Sequence, residues 1–330
     1  MRRYTWTVLL AIVLVAFLAF EAVAKDLAKV KVTAGRNSII SMLYLAGEMA
    51  GIFEKNGIDA DVDVRPFPAH MAALPAKEVP CSSYAGTAAI ARITKGLDFV
   101  IVGGGLTVMQ EVFVKKDSPV KSIGDLRGKK FGTWSTGAGA FKATRAVIID
   151  GHGMDVINKK DVDLKQAAAP ALLALLDRGD VDSMFNISSL TVRAASQPDK
   201  YRSVFVPNDY WKSKTGQAIV WSAPLVCWRE WVDEDPKRAA GFAGAVMESM
   251  RWLRNPKNFD QAEAKFAKVT GIKNKAEAAV YRDWLQKKKV FIAKWDKETV
   301  DHQWNFLEMA KRRGVLDFVP DKKKHGLILN

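Results

Sequence analysis

Residues 115–142 constrain the fold more than any other stretch of this chain. Pro119 keeps Ser118 out of helical geometry, and residues 120–126 offer one short amphipathic turn before Gly128. Residues 129–134 then read as a strand, Ser135-Thr136-Gly137 as a turn, and residues 138–149 as a helix. In that helix Phe141, Ala143, Ala146, Val147 and Ile149 recur at helical spacing. A strand that ends in small hydroxyl residues just ahead of a helix directs unpaired N–H groups and the positive end of the helix dipole at one place. Such a place suits an anion or a polar oxygen.

The arrangement recurs along the chain. A strand at 30–34 leads through Gly35-Arg36-Asn37-Ser38 into a helix that Ser38 can cap, with Ile39, Met42, Leu43, Ala46, Met49, Ala50 and Phe53 on one face. A strand at 79–83 delivers Ser82-Ser83-Tyr84 to a helix at 86–95, and one at 181–186 delivers Phe185 and Asn186 to a helix at 189–195. Further strands are expected at 58–65, 99–102, 111–114, 162–166, 201–207 and 223–228. A short helix is expected at 71–75, another at 170–178, and Gly103-Gly104-Gly105 reads as a flexible loop. From Asp235 onward the pattern is helical, at 237–253, 259–269, 275–288 and 297–313, with Trp252, Trp284, Trp295 and Trp304 expected as packing residues. In open α/β sheets ligands gather at the carboxyl ends of strands, where these loops lie. The chain crosses into a second lobe at Lys115 and returns near residue 205, which gives a two-stranded hinge.

Several chemistries are excluded or weakened. Asp59, Asp61 and Asp63 alternate as in a calcium loop, but Val64 stands where that loop needs glycine and Ala69 where it needs glutamate. His70, His152, His302 and His325 show no metal-ligand spacing, Ser135 lacks the glycine of a nucleophile elbow, and Lys142 fills the third glycine's place in a dinucleotide fingerprint. No catalytic residue, metal or cofactor is expected. Arg2 and Arg3 precede an apolar run at 6–20 and the small-x-small site Ala22-Val23-Ala24, so residues 1–24 read as a signal peptide for export. That run is shorter than the roughly 20 residues of a membrane span. Its removal takes one unit from a formal charge of +14 spread over scattered lysines, a solvated basic surface with no nucleic-acid motif. Cys81 and Cys227 are the two cysteines. An oxidising compartment permits them to pair, yet separate small buried thiols fit their apolar segments, and separate thiols are the expectation.

Residues 114–138, VKKDSPVKSIGDLRGKKFGTWSTGA, resemble the second-lobe signature of nitrate/sulfonate/taurine-type periplasmic substrate-binding proteins, the thiamine-precursor-binding-like family. Residues 43–58, 93–100 and 175–184 resemble its other segments in order and spacing, so the likeness covers nearly the whole mature chain. It implies a two-lobed α/β periplasmic-binding-protein fold of type II, each lobe a mixed sheet flanked by helices, with a ligand cleft between the lobes. The implied division is residues 25–114 with 206–330 as lobe one and 115–205 as lobe two. It also implies a periplasmic, monomeric, non-enzymatic receptor that hands a small anion to an ABC permease. The residues placed to line the cleft are Arg36, Asn37, Ser38, Ser82, Ser83, Tyr84, Thr133, Ser135, Thr136, Gly137 and Asn186 as polar groups. Trp134 and Phe185 would form an apolar or aromatic wall. Arg36, a bidentate donor, favours a sulfonate or carboxylate. The alternatives are binding or biosynthesis of a thiamine pyrimidine precursor, and a ligand-sensing module.

Overall fold

The computed structural model describes residues 27–329. The expected signal peptide and its cleavage site lie outside the described residues. Parallel strands β1 (Ala28–Gly35) and β2 (Ile58–Arg65) pair from Ala28↔Ile58 to Gly35↔Arg65, and α1 (Ile39–Met49) and α2 (Ile52–Lys55) connect them. The second half of β1 is fully buried, whereas Asp59 and Asp61 of β2 face outward, as strand alternation requires. After α3 (Phe67–Ala73) come β3 (Cys81–Ser83), α4 (Gly86–Ile93) and β4 (Phe99–Leu106). The short helix therefore starts earlier than its apolar residues suggest, because Pro68 is tolerated in a first turn.

The second lobe follows without interruption. It holds β5 (Val112–Lys115), a 3-10 turn (Ile123–Leu126), β6 (Lys130–Thr133), α5 (Gly139–His152), β7 (Asp163–Gln166), α6 (Ala169–Arg178), β8 (Ser183–Phe185), α7 (Ser188–Ala195) and β9 (Tyr201–Phe205). Its strands form one mixed sheet in the order β7-β6-β8-β5-β9, with β6 parallel to both neighbours and β5 antiparallel to both of its own.

The chain then forms α8 (Pro207–Thr215) where the end of a strand was expected, since Pro207 opens a helix more readily than it extends a ladder. There follow β10 (Ala223–Trp228), α9 (Arg229–Glu234), α10 (Pro236–Trp252), α11 (Pro256–Thr270), α12 (Lys275–Gln286), α13 (Lys297–Arg312) and α14 (Lys322–His325). Asp235, Asn255, Asn274 and Asp296 each cap the following helix through a side-chain oxygen. Trp284, Trp295 and Trp304 are buried in the two principal cores.

Three features differ from the sequence-based expectation. Lobe one is not a single mixed sheet, because β1 and β2 form one ladder while β3-β10-β4 form a separate antiparallel one. The triple glycine is not a loop but the second half of β4. A Cβ at Gly104 would lie 1.9 Å from the carbonyl oxygen of Ile292, and one at Gly105 would lie 2.0 Å from that of Ala223, so two other backbones approach too closely for any side chain. Cys81 and Cys227 are joined as a disulfide. They are partners in the β3–β10 register with Cα atoms 4.1 Å apart, a proximity created by strand pairing across 146 residues of sequence.

Candidate functional site

The strand ends of lobe one form a hydrogen-bonded group. Beyond β1, the amide of Arg36 donates to the carbonyl of Arg65, and the Arg36 side chain is exposed, with no ion pair among the described residues. Asn37 adopts a left-handed φ of 58°, its amide donates to the carbonyl of Val269, and its side chain lies against Gly271. It is thereby held by the end of α11. Ser38 caps α1, accepting from the amide of Ile40 at 3.2 Å.

At the end of β3, Ser83 meets the buried hydroxyl of Tyr44 through both its Oγ (3.1 Å) and its amide (3.2 Å). Burial raises the Tyr44 phenol to about 12, so it stays protonated. Beside them His70 lies within hydrogen-bond distance of Thr33 Oγ1 (3.1 Å) and also engages the backbone of Ser83. Burial lowers its imidazole to about 4, so it is neutral at physiological pH. Phe67 is 58% exposed, with its ring 3.2 Å from where a Cβ of Gly35 would be. Tyr44 and Phe67 were not singled out from the sequence, and His70 was weighed there only as a metal ligand. Tyr44 sits within a helix face, and the other two sit in a loop-like segment. A histidine buried three residues after an exposed phenylalanine gives no pattern to read.

In lobe two, Ser135 accepts from the amide of Gly137 at 3.3 Å and closes a small turn in which Ser135 and Thr136 are half-buried and Gly137 is exposed. Trp134 is half-buried and stacked on Phe185, with ring centroids 5.4 Å apart and an interplanar angle of 23°. Phe185 is fully buried and supports the indole from beneath.

Two other expected site residues are spent internally. Tyr84, just past the end of β3, turns into the core, with its hydroxyl donating to the carbonyl of Met71 and its ring edge-on to Phe99. Asn186 donates to the carbonyl of Ala169 at 2.9 Å and accepts from the amide of Ile187 at 2.8 Å, which occupies both ends of its amide. By contrast, the hydroxyls of Ser82 and Thr133 are buried at the ends of β3 and β6 without a protein partner. Buried hydroxyls are normally paired, and these two are among several buried polar atoms, Thr107, Ser183 and Tyr281 included, that have no protein partner.

The helices that follow these strands also lack side-chain caps. Ala85, Ala138, Ala168 and Ile187 precede α4, α5, α6 and α7, and none supplies a capping oxygen. Ser83 and Ser135 are therefore not caps. The starts of α4 and α5 meet across the lobes, where a Cβ on Gly139 would lie 3.0 Å from Thr87 Oγ1 and 3.7 Å from Ala85 Cβ. Lobe contact continues through Gln110 to Ser188 (3.3 Å) and Arg193 to Glu277 (3.3 Å). At the hinge, Glu111 pairs with Lys288 (2.8 Å). Two surface depressions lie away from the strand ends, one of about 420 Å³ beside Trp211 and His302 and one of about 610 Å³ beside Trp228 and Trp231. Among the described residues no three His, Cys, Asp or Glu side chains gather as a metal site.

A two-lobed α/β chain whose helices α4 and α5 meet across the lobes has the architecture of a periplasmic binding protein. Residues 37–258 match the NMT1/THI5-like family, and the chain belongs to that family. Its fold is similar to that of the periplasmic aliphatic sulphonate binding protein SsuA from Escherichia coli, with a TM-score of 0.71 and 16% identity over 92% of this chain and 93% of that one. The alkanesulfonate-binding protein SsuA from Xanthomonas axonopodis pv. citri, bound to MOPS, gives 0.65 and 12% over 90% and 96%. The desulfurization enzyme DszB gives 0.59 and 13% over 90% and 95%, so the fold carries catalysis as well as binding. No curated protein matches the chain significantly in sequence.

Proposed function

We propose that the protein is an exported solute-binding receptor that captures a small organic anion, a sulfonate, taurine or carboxylate, between its lobes and delivers it to an ABC permease. In this reading residues 1–24 are removed on export, residues 115–205 act as the moving lobe, and the mature protein works in the periplasm as a monomer. The observation that carries it is a set of polar groups near the strand ends of both lobes without a protein partner: the exposed Arg36, which has no ion pair among the described residues, the buried hydroxyls of Ser82 and Thr133, and the start of α5, which no side chain caps, beside the Ser135 turn. An anion held there would satisfy groups that the protein alone leaves open. The two SsuA proteins, which share the fold, are named for sulfonate ligands.

A catalytic role fits less well. Both cysteines are bonded to one another, and His70 is occupied by Thr33 and Ser83. The test is thermal unfolding of residues 25–330 with alkylsulfonates, taurine, carboxylates, nitrate and thiamine pyrimidine precursors. A ligand at 100 times its Kd adds about 2.7 kcal/mol of stability. The expected result is a shift with one class of anion that disappears in Arg36→Ala and in Ser135→Ala. Absence of any shift with anions overturns the reading.

A further inference from the structure

We infer that the anion is aromatic: an arene bearing a sulfonate or carboxylate, whose ring lies on the outer face of Trp134. The inference rests on the receptor reading above and narrows it. Trp134 is the last residue before the Ser135-Thr136-Gly137 turn, so its indole stands beside the groups that would hold the charge. One face of the indole is covered by Phe185 at 5.4 Å, and Phe185 is itself braced edge-on by Phe141 at 6.2 Å and 62°. This three-ring stack fixes the plane of Trp134 while the residue stays partly exposed, so a ring that reached the accessible part of the indole would meet a side chain already ordered.

Lobe one offers a matching pair. Phe67, the most exposed of the large hydrophobic residues among those described, packs against Gly35, the residue before Arg36. Each lobe thus sets an aromatic ring close in sequence or packing to a group that would hold the anion in the receptor reading, Phe67 against the residue before Arg36 in one and Trp134 before the hydroxyl turn in the other. An alkyl chain would bury area against these rings, but only a planar ring gains the offset or edge-on geometry that aromatic pairs prefer.

The test compares anions of equal charge and similar size on the mature protein by titration calorimetry: toluenesulfonate against hexanesulfonate, and benzoate against hexanoate. The expected outcome is about tenfold tighter binding of the aromatic member of at least one pair, with quenching of tryptophan fluorescence. Trp134→Leu should bring the aryl-to-alkyl ratio close to one. Phe67→Leu, a surface change that leaves the packed core alone, should reduce the ratio in the same direction, and circular dichroism confirms that each variant is folded. Equal affinity within both pairs, or a preference that survives Trp134→Leu, overturns the aromatic assignment and leaves the receptor reading intact. If no anion of either kind binds, the receptor reading fails and this inference falls with it.

Discussion

His70 holds together two ladders that share no strand. It comes from α3, reaches Thr33 on β1 and the backbone of Ser83 on β3, and does so as a neutral imidazole. Because burial lowers its folded value to about 4 from an ordinary 6.5, the unfolded chain takes up a proton in that window while the folded chain refuses it. Stability therefore falls as pH drops from about 6.5 to 4, and about 3 kcal/mol of the loss belongs to this residue. His70→Gln should flatten that part of the profile, as urea unfolding at pH 7, 5.5 and 4 will show when the two proteins are compared; parallel profiles would disprove the assignment. At this scale the sequence was least informative. A strand ending in Ser82-Ser83-Tyr84 announces polar groups near a helix start, yet it does not say that Ser83 turns to Tyr44, Ser82 is left unpaired and Tyr84 enters the core. Those directions depend on partners dozens of residues away.

Helices α7 and α12 join the lobes through Arg193 and Glu277. Glu277 is buried, and its second carboxylate oxygen accepts from the amide of Lys273, so the charge is met by one guanidinium from the other lobe and one local backbone donor. Removing the guanidinium leaves a buried charge with one backbone donor, at a cost of about 2–4 kcal/mol. Arg193→Met should lower stability by that amount, and adding Glu277→Gln, which keeps the acceptor but discards the charge, should restore most of it. Chemical denaturation of the single and double variants measures this; a double variant no better than the single one would refute it. The element scale was the most legible in sequence. Helices α10 to α13 and strands β1, β2, β6 and β10 follow from periodicity and turn residues, with ends displaced by a few positions. Gly103 to Gly105 were misread because glycine marks a loop unless another backbone presses on the strand. The backbones in question belong to Ala223 and Ile292, far along the chain.

For the whole molecule, the two-lobed plan was readable from repeated strand–helix units, whereas the Cys81–Cys227 bond was not, since it depends on β3 and β10 being neighbours. The bond closes a covalent ring that includes all of lobe two and both connecting segments. Replacing both cysteines with alanine should cost roughly 2–5 kcal/mol, read as a lower unfolding midpoint in calorimetry under non-reducing conditions. Equal midpoints would show that the bond contributes nothing. The position of β10 between β3 and β4 has a consequence in time as well. A chain emerging from its amino end delivers β3 and β4 early, then every strand of lobe two, and only afterwards the strand that must lie between the first pair. Lobe two, contiguous in sequence, can finish while lobe one waits with two strands apart and Cys81 unbonded. The central strand of the β3-β10-β4 ladder thus arrives only after lobe two is already in place, with helices α9 to α14 still to follow.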